Sequence, residues 1–157
     1  MRENRQLGRA IWAPLVAAAL SGLVIGVLAR LLMRGIKLAI GGSAGLSLAG
    51  TLGILIVFVV LALPAAVTAT ARPAIMNAGR WATAALTGLA VARTGLGDAQ
   101  TVVLADDGQL LPIAVLIVVF GAIVVAHGRL AQHLTRRLRA LPEAPAEALR
   151  TPDARLV

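Results

Sequence analysis

Leu52-Gly53-Ile54-Leu55-Ile56-Val57-Phe58-Val59-Val60-Leu61-Ala62-Leu63 is an almost unbroken apolar run. It lies inside thirty-four consecutive residues, Leu38 to Ala71, that carry no charged side chain. About twenty such residues in a helix rise roughly 30 Å, the thickness of a bilayer's hydrocarbon core. A soluble domain of 157 residues cannot hide this segment and two more like it. The sequence therefore describes an integral membrane protein whose main solvent is lipid.

Working outward from that run, four segments can cross. Ala10 to Ala29 is uncharged and opens a helix that continues to about residue 34. The second segment covers about 48–71 and the fourth about 110–128. The third, about 73–96, is interrupted by Arg80 and Arg93. It crosses only if both arginines snorkel to opposite interfaces.

Charge placement favours four crossings. With a cytoplasmic N-terminus, the inner side holds Arg2, Arg5, Arg9, Arg72, Arg80 and all arginines from Arg129 onward. The outer side keeps Arg30, Arg34, Lys37 and Arg93. This obeys the positive-inside rule, whereas three crossings would turn the arginine-rich C-terminus outward. Trp12 and Trp81 then fall just inside Arg9 and Arg80, at the interface where indole rings prefer to lie. The expected protein is a multi-pass component of the plasma membrane with both termini cytoplasmic. The basic start could open a cleaved signal peptide, but its apolar run is longer than such peptides carry, and retention is expected.

The fold class expected is all-α: a four-helix transmembrane bundle over residues 1–141 with an amphipathic helical extension at 129–141. Leu130, Leu134, Leu138 and Leu141 share one face of that extension, flanked by Arg129, Arg136, Arg137 and Arg139. From Pro142 to Val157 the chain becomes a Pro-rich polar tail, expected to be cytoplasmic. Pro64 lies inside the second span and is expected to bend it and free a carbonyl.

Lipid tails are as apolar as Leu, so helices in membranes associate through close packing of small residues. Ala18, Gly22 and Gly26 follow that spacing in the first span; Ala84, Gly88 and Ala92 follow it in the third. Gly50 and Gly53 in the second, and Ala114, Ala122 and Ala126 in the fourth, are further candidates. The first and third spans also share Gly-Arg, Trp-Ala and Leu-(Ser/Thr)-Gly-Leu elements, consistent with a duplicated hairpin or with low complexity.

Composition narrows the chemistry. There is no Cys, which excludes disulfides, thiolate metal sites and cysteine nucleophiles. His127 and His133 sit six residues apart, nearly on opposite helix faces, and read as interfacial polar residues rather than metal ligands. Asp106-Asp107-Gly108 reads as a turn before the fourth helix. No metal or cofactor is expected. The net charge of +8 could signal nucleic-acid binding, but the arginines flank apolar spans without interleaved aromatics, so anionic lipid head groups are the expected counter-charge.

Arg30, Arg34 and Lys37 lie at i, i+4 and i+7 on one helical face. They are the candidate binding residues, for an anionic lipid or another anion, with interfacial anchoring as the plainer reading. Arg30 continues the Ala18-Gly22-Gly26 row and so can point into the bundle. Asn77, Thr83 and Thr87 are expected to make interhelical or backbone hydrogen bonds. No span holds Asp or Glu, which counts against proton-coupled transport. For the same reason the chain departs from small multidrug exporters, which depend on a first-span glutamate.

The strings Arg30-Leu31-Leu32-Met33-Arg34 and Ser47-Leu48-Ala49-Gly50-Thr51-Leu52-Gly53 resemble an R-L-x-M-R … S-L-x-G-T-L-G pattern. That pattern belongs to uncharacterised small multi-pass membrane proteins of actinobacteria. The resemblance covers roughly Gly22 to Leu63. It implies a membrane location, marks Arg30 and Arg34, and supplies no mechanism. Two functions fit the sequence. The first is a non-enzymatic accessory or scaffold subunit of a larger membrane assembly, binding other transmembrane helices as a homo- or hetero-oligomer. The second is a small oligomeric channel or transporter for an anion or other small solute. A lipid-modifying enzyme lacks a base or nucleophile to carry it.

Overall fold

A computed structural model describes residues 2–39, 41, 45, 47–95 and 107–141, and these are helical apart from short turns. Helix α1 is Arg2–Ala39, α2 is Leu48–Val67, α3 is Pro73–Gly95 and α4 is Asp107–Ala140. The all-α architecture read from the sequence is the one observed. Three of these helices, α1, α2 and α4, are long and apolar enough to cross a membrane. The exception, α3, is broken by Arg80 and Arg93, yet its 23 residues rise about 34 Å and lie alongside the apolar helices.

The bounds of α1 and α2 differ from the sequence reading, and α1 runs Arg2–Ala39 where a span of about 10–34 is expected. The second span ends at Val67 rather than near residue 71, because Thr68 to Ala71 form a turn whose N–H groups bond back to Pro64, Ala66 and Thr68. The fourth span runs on into its extension as one continuous helix, as the sequence leads one to expect. The extension's buried face, however, is not the leucine face. Ala131, Gln132 and Thr135 are buried, while Leu141 is exposed and Leu130, Leu134 and Leu138 are half-buried. A packed helix end admits small side chains against its neighbours, and here they are Ala131 and Thr135. The Pro-rich tail and Asp106 lie outside the described residues, whereas Asp107 and Gly108, expected in a turn, form the first residues of α4.

Neighbouring helices run antiparallel in an up-down-up-down bundle. Helix α1 packs on α2 and α4, α3 packs on α2 and α4, and α2 also touches α4 across the diagonal. The α1–α2 seam is built from small residues. A Cβ at Gly22 would strike the backbone of Val59, so only glycine lets the helices come this close. Ala18 packs with Ala62, Ala65, Ala66 and Ala131 in a cluster with no exposure to solvent. Next to it, Ile25, Ala29, Phe58 and Phe120 form a bulkier layer. Ser21 is fully buried and satisfies itself by donating to the Ala18 carbonyl at 3.3 Å. The outer surface of the bundle, by contrast, is apolar: Leu52, Ile56, Leu89, Val118 and many others are exposed, as a lipid-facing surface requires.

Three prolines lie inside the described helices, Pro14, Pro64 and Pro112, and another helix closes the gap left by the first. Pro14 cannot donate to the Ala10 carbonyl, and Arg139 Nη2 takes that acceptor at 3.0 Å. Arg139 Nη1 also donates to Thr70 Oγ1 at 2.8 Å in the α2–α3 turn. One guanidinium thus ties α4 to α1 and to the α2–α3 turn. Arg9 donates to the Leu141 carbonyl beside it. Pro64 lies inside α2, and the adjacent Ala65 N–H donates across to Thr83 Oγ1 of α3 at 3.1 Å.

Candidate functional site

The α3–α4 seam is polar where the α1–α2 seam is not. Helix α3 turns Arg80, Thr83 and Thr87 inward because they recur at three- and four-residue steps on one face. Thr83 and Thr87 are fully buried. From α4 come His127, Gln132 and Thr135, also buried. Thr87 Oγ1 and His127 Nδ1 are 3.2 Å apart, and the His127 ring lies against Phe58 with centroids 5.6 Å apart. His127 Nε2 is buried and has no hydrogen-bond partner among the described residues. The sequence reading of His127 as an interfacial residue is corrected here: it belongs to the bundle interior. Thr83 and Thr87 make the interhelical bonds expected of them, whereas Asn77 faces outward.

Toward the end of the bundle that carries the α1 N-terminus, this seam opens. Gln132 is 1% exposed and is held from both sides: its Nε2 donates to the Met76 carbonyl at 2.6 Å and its Oε1 accepts from Arg80 Nε at 3.4 Å. Gly128 allows this approach, since a Cβ there would come within 3.0 Å of the Arg80 carbonyl. Around Gln132 a cavity of about 470 Å³ is lined by Arg80, Arg129, Leu130, His133 and Arg136. Arg136 Nη1 reaches the Met76 sulfur at 3.9 Å, and Arg137 Nε reaches His133 Nε2 at 3.4 Å. Three guanidiniums therefore share one open pocket, and neither α3 nor α4 between Gly108 and Leu141 carries a carboxylate to neutralise them. Exposed Trp81 adjoins Arg80, and exposed Trp12 lies near Arg9 at the same end of the bundle.

The residues singled out from the sequence lie elsewhere. Arg30 is half-buried, with Nη2 beside Gly50 in the first turn of α2; Arg34 and Lys37 are exposed further along α1. They remain together on one helix, at the end opposite the pocket, and the structure does not bring them to the α3–α4 cations. Arg30 does continue the Ala18-Gly22-Gly26 row toward α2, but it arrives at the positive end of that helix's dipole, which gives a cation no stabilisation.

Sequence reasoning missed the pocket because its members were each explained separately. In the sequence, Arg80 reads as a snorkelling interruption of a span, and Arg129 and Arg136 read as the flanks of an amphipathic helix. A usable signal was present: Gln132 is the only glutamine or asparagine between Leu110 and Leu141, and it sits between arginines three residues before it and four after it. Comparisons with protein-family models, curated proteins and solved structures returned no match.

Proposed function

We propose that this chain is a non-enzymatic membrane subunit that works by binding other transmembrane helices, as an accessory or scaffold component of a larger assembly. The observation that carries this reading is the closed interior. Ala17, Ala18, Ala62, Ala65, Ala66 and Ala131 have no exposure, which leaves no water-filled route between α1, α2 and α4 at that level. A second feature supports it: Ala114, Ala122 and Ala126 of α4 all face outward, a small-residue row that no other described helix covers and that is suited to close approach by another helix. Both termini are assigned to the cytoplasm of a plasma-membrane protein, since the basic end of the bundle then obeys the positive-inside rule. Kinship with the small multi-pass proteins of actinobacteria belongs to the same proposal, as does anchoring of Arg30, Arg34 and Lys37 on lipid phosphates.

The channel reading keeps one observation in its favour. Gln132, Thr83, Thr87 and His127 form a buried polar line leading inward from the basic pocket. Gentle detergent extraction followed by native mass measurement separates the two. A stoichiometric foreign subunit, lost on Ala122→Leu/Ala126→Leu, supports the scaffold. A pure homo-oligomer with anion flux in liposomes, abolished by Arg30→Ala, overturns it.

A further inference from the structure

We propose that the pocket lined by Arg80, Arg129, Gln132, His133 and Arg136 binds the phosphate of an anionic phospholipid, independently of which partner the subunit serves. Unpaired positive charge is the first argument. From Asn4 to Gly97, and again from Gly108 to Pro142, the chain contains no Asp or Glu, so the helices that build the pocket cannot neutralise it themselves. Three guanidiniums facing one cavity repel one another unless an anion joins them.

The second argument is pre-organisation. Gln132 is buried and fixed at both ends of its amide, and it holds Arg80 by Nε alone. The two Nη groups of Arg80 make no hydrogen bond among the described residues. They are free to form the paired N–H···O contacts that a guanidinium makes with phosphate oxygens. Arg129 and Arg136 are exposed and reach the same opening from α4.

The third argument selects a lipid over free phosphate. Leu130 forms part of the pocket wall, and exposed Trp81 follows Arg80 directly. Indole rings settle at the head-group level, so the pocket opens in the plane of lipid phosphates. The neighbouring lipid-facing surface, including Ala126, Val125 and Leu86, is apolar and can receive the acyl chains.

The test uses the full chain in nanodiscs of phosphatidylcholine doped with phosphatidylglycerol, released into mild detergent for native mass spectrometry. Wild type retains phosphatidylglycerol in preference to phosphatidylcholine, and millimolar inorganic phosphate does not displace it. Arg129→Gln/Arg136→Gln lowers that retention about 30-fold, the effect of two interfacial arginines. Both positions are exposed, so circular dichroism remains that of wild type. Arg80→Lys, which keeps the charge and loses the fork, lowers retention by a smaller factor. Arg93→Gln, an exposed arginine at the other end of α3, leaves it unchanged. Four results each overturn the proposal. They are equal retention of phosphatidylcholine, unchanged retention in Arg129→Gln/Arg136→Gln, inorganic phosphate binding as tightly as the lipid, and a severalfold gain on Glu143→Gln/Glu147→Gln. The last would assign the pocket to the chain's own tail.

Discussion

The α1–α2 seam and the α3–α4 seam solve the same problem with opposite chemistry. Both join antiparallel helices in a lipid-facing bundle. The first does so with Gly22 against the Val59 backbone and a layer of buried alanines, without one interhelical side-chain hydrogen bond among the described residues. The second relies on the Thr87–His127 and Arg80–Gln132 pairs and on Gln132 bonded to the Met76 carbonyl. The contrast teaches how a membrane helix with a poor span composition is kept in place. Helix α3 is the one of the four described helices without a stretch long and apolar enough to cross; its inward polar groups find fixed partners on α2 and α4, so they need not remain solvated. The dry seam has no such option, because it offers nothing but shape.

That difference ranks the expected consequences of substitution. The largest belongs to the dry seam. Gly22→Leu forces a side chain into the Val59 backbone, which cannot yield as a flexible side chain would. A loss of about 3 kcal/mol or more is expected, read as unfolding at much lower denaturant in detergent micelles. If Gly22→Leu unfolds like wild type, the seam is not close-packed.

Arg139→Met comes next. It removes the donor to the Ala10 carbonyl that Pro14 leaves open, and the link to Thr70. Stability should fall by about 2 kcal/mol, and hydrogen exchange at the α2–α3 turn should accelerate. Pro14→Ala in the same background supplies Ala10 with a helical donor and should recover part of the loss, which a merely surface arginine would not produce.

In the polar seam the steps are smaller. Thr83→Val leaves the Ala65 N–H beside Pro64 without its acceptor, for about 1 kcal/mol by equilibrium unfolding. Pairing Thr83→Val with Pro64→Ala should cost no more than Pro64→Ala alone, because the straightened ladder takes that donor back. Smallest is Thr87→Val, about 0.6 kcal/mol, the usual size of a hydrogen bond between membrane helices. Adding His127→Phe should cancel that loss, since both polar partners are then replaced by apolar groups and the unpartnered Nε2 disappears. A double variant worse than either single one would mean that His127 has a role beyond packing.

The parts of this molecule governed by one helix's own pattern were legible in its sequence. The apolar runs located α1, α2 and α4, Pro73 located the start of α3, and the spacing of Ala18, Gly22 and Gly26 located the tight seam. The same spacing in Ala84, Gly88 and Ala92 proved uninformative: Ala84 is buried, Gly88 half-buried and Ala92 exposed. A stripe declares that close approach is allowed, not that a neighbour takes it. The basic pocket was illegible for a related reason. It joins Arg80 to Gln132, residues fifty-two apart, and depends on the angle at which α3 meets α4. Arg30, Arg34 and Lys37 stood out because they are close in sequence, and proximity along one helix is not convergence. Arg139 gave no signal either, because its main acceptor is a carbonyl on another helix exposed by a proline.

Because the chain has no cysteine, the central claim of one dry seam and one polar seam opening at the basic end can be tested by single-cysteine accessibility in sealed vesicles. A water-soluble, membrane-impermeant thiol reagent applied to the basic face should modify Arg129→Cys and His133→Cys rapidly. It should leave Ser21→Cys, Ala62→Cys and Ala131→Cys unmodified from either face. Rapid labelling of Ser21→Cys or Ala62→Cys would contradict the account, because water would then reach the seam that the structure closes.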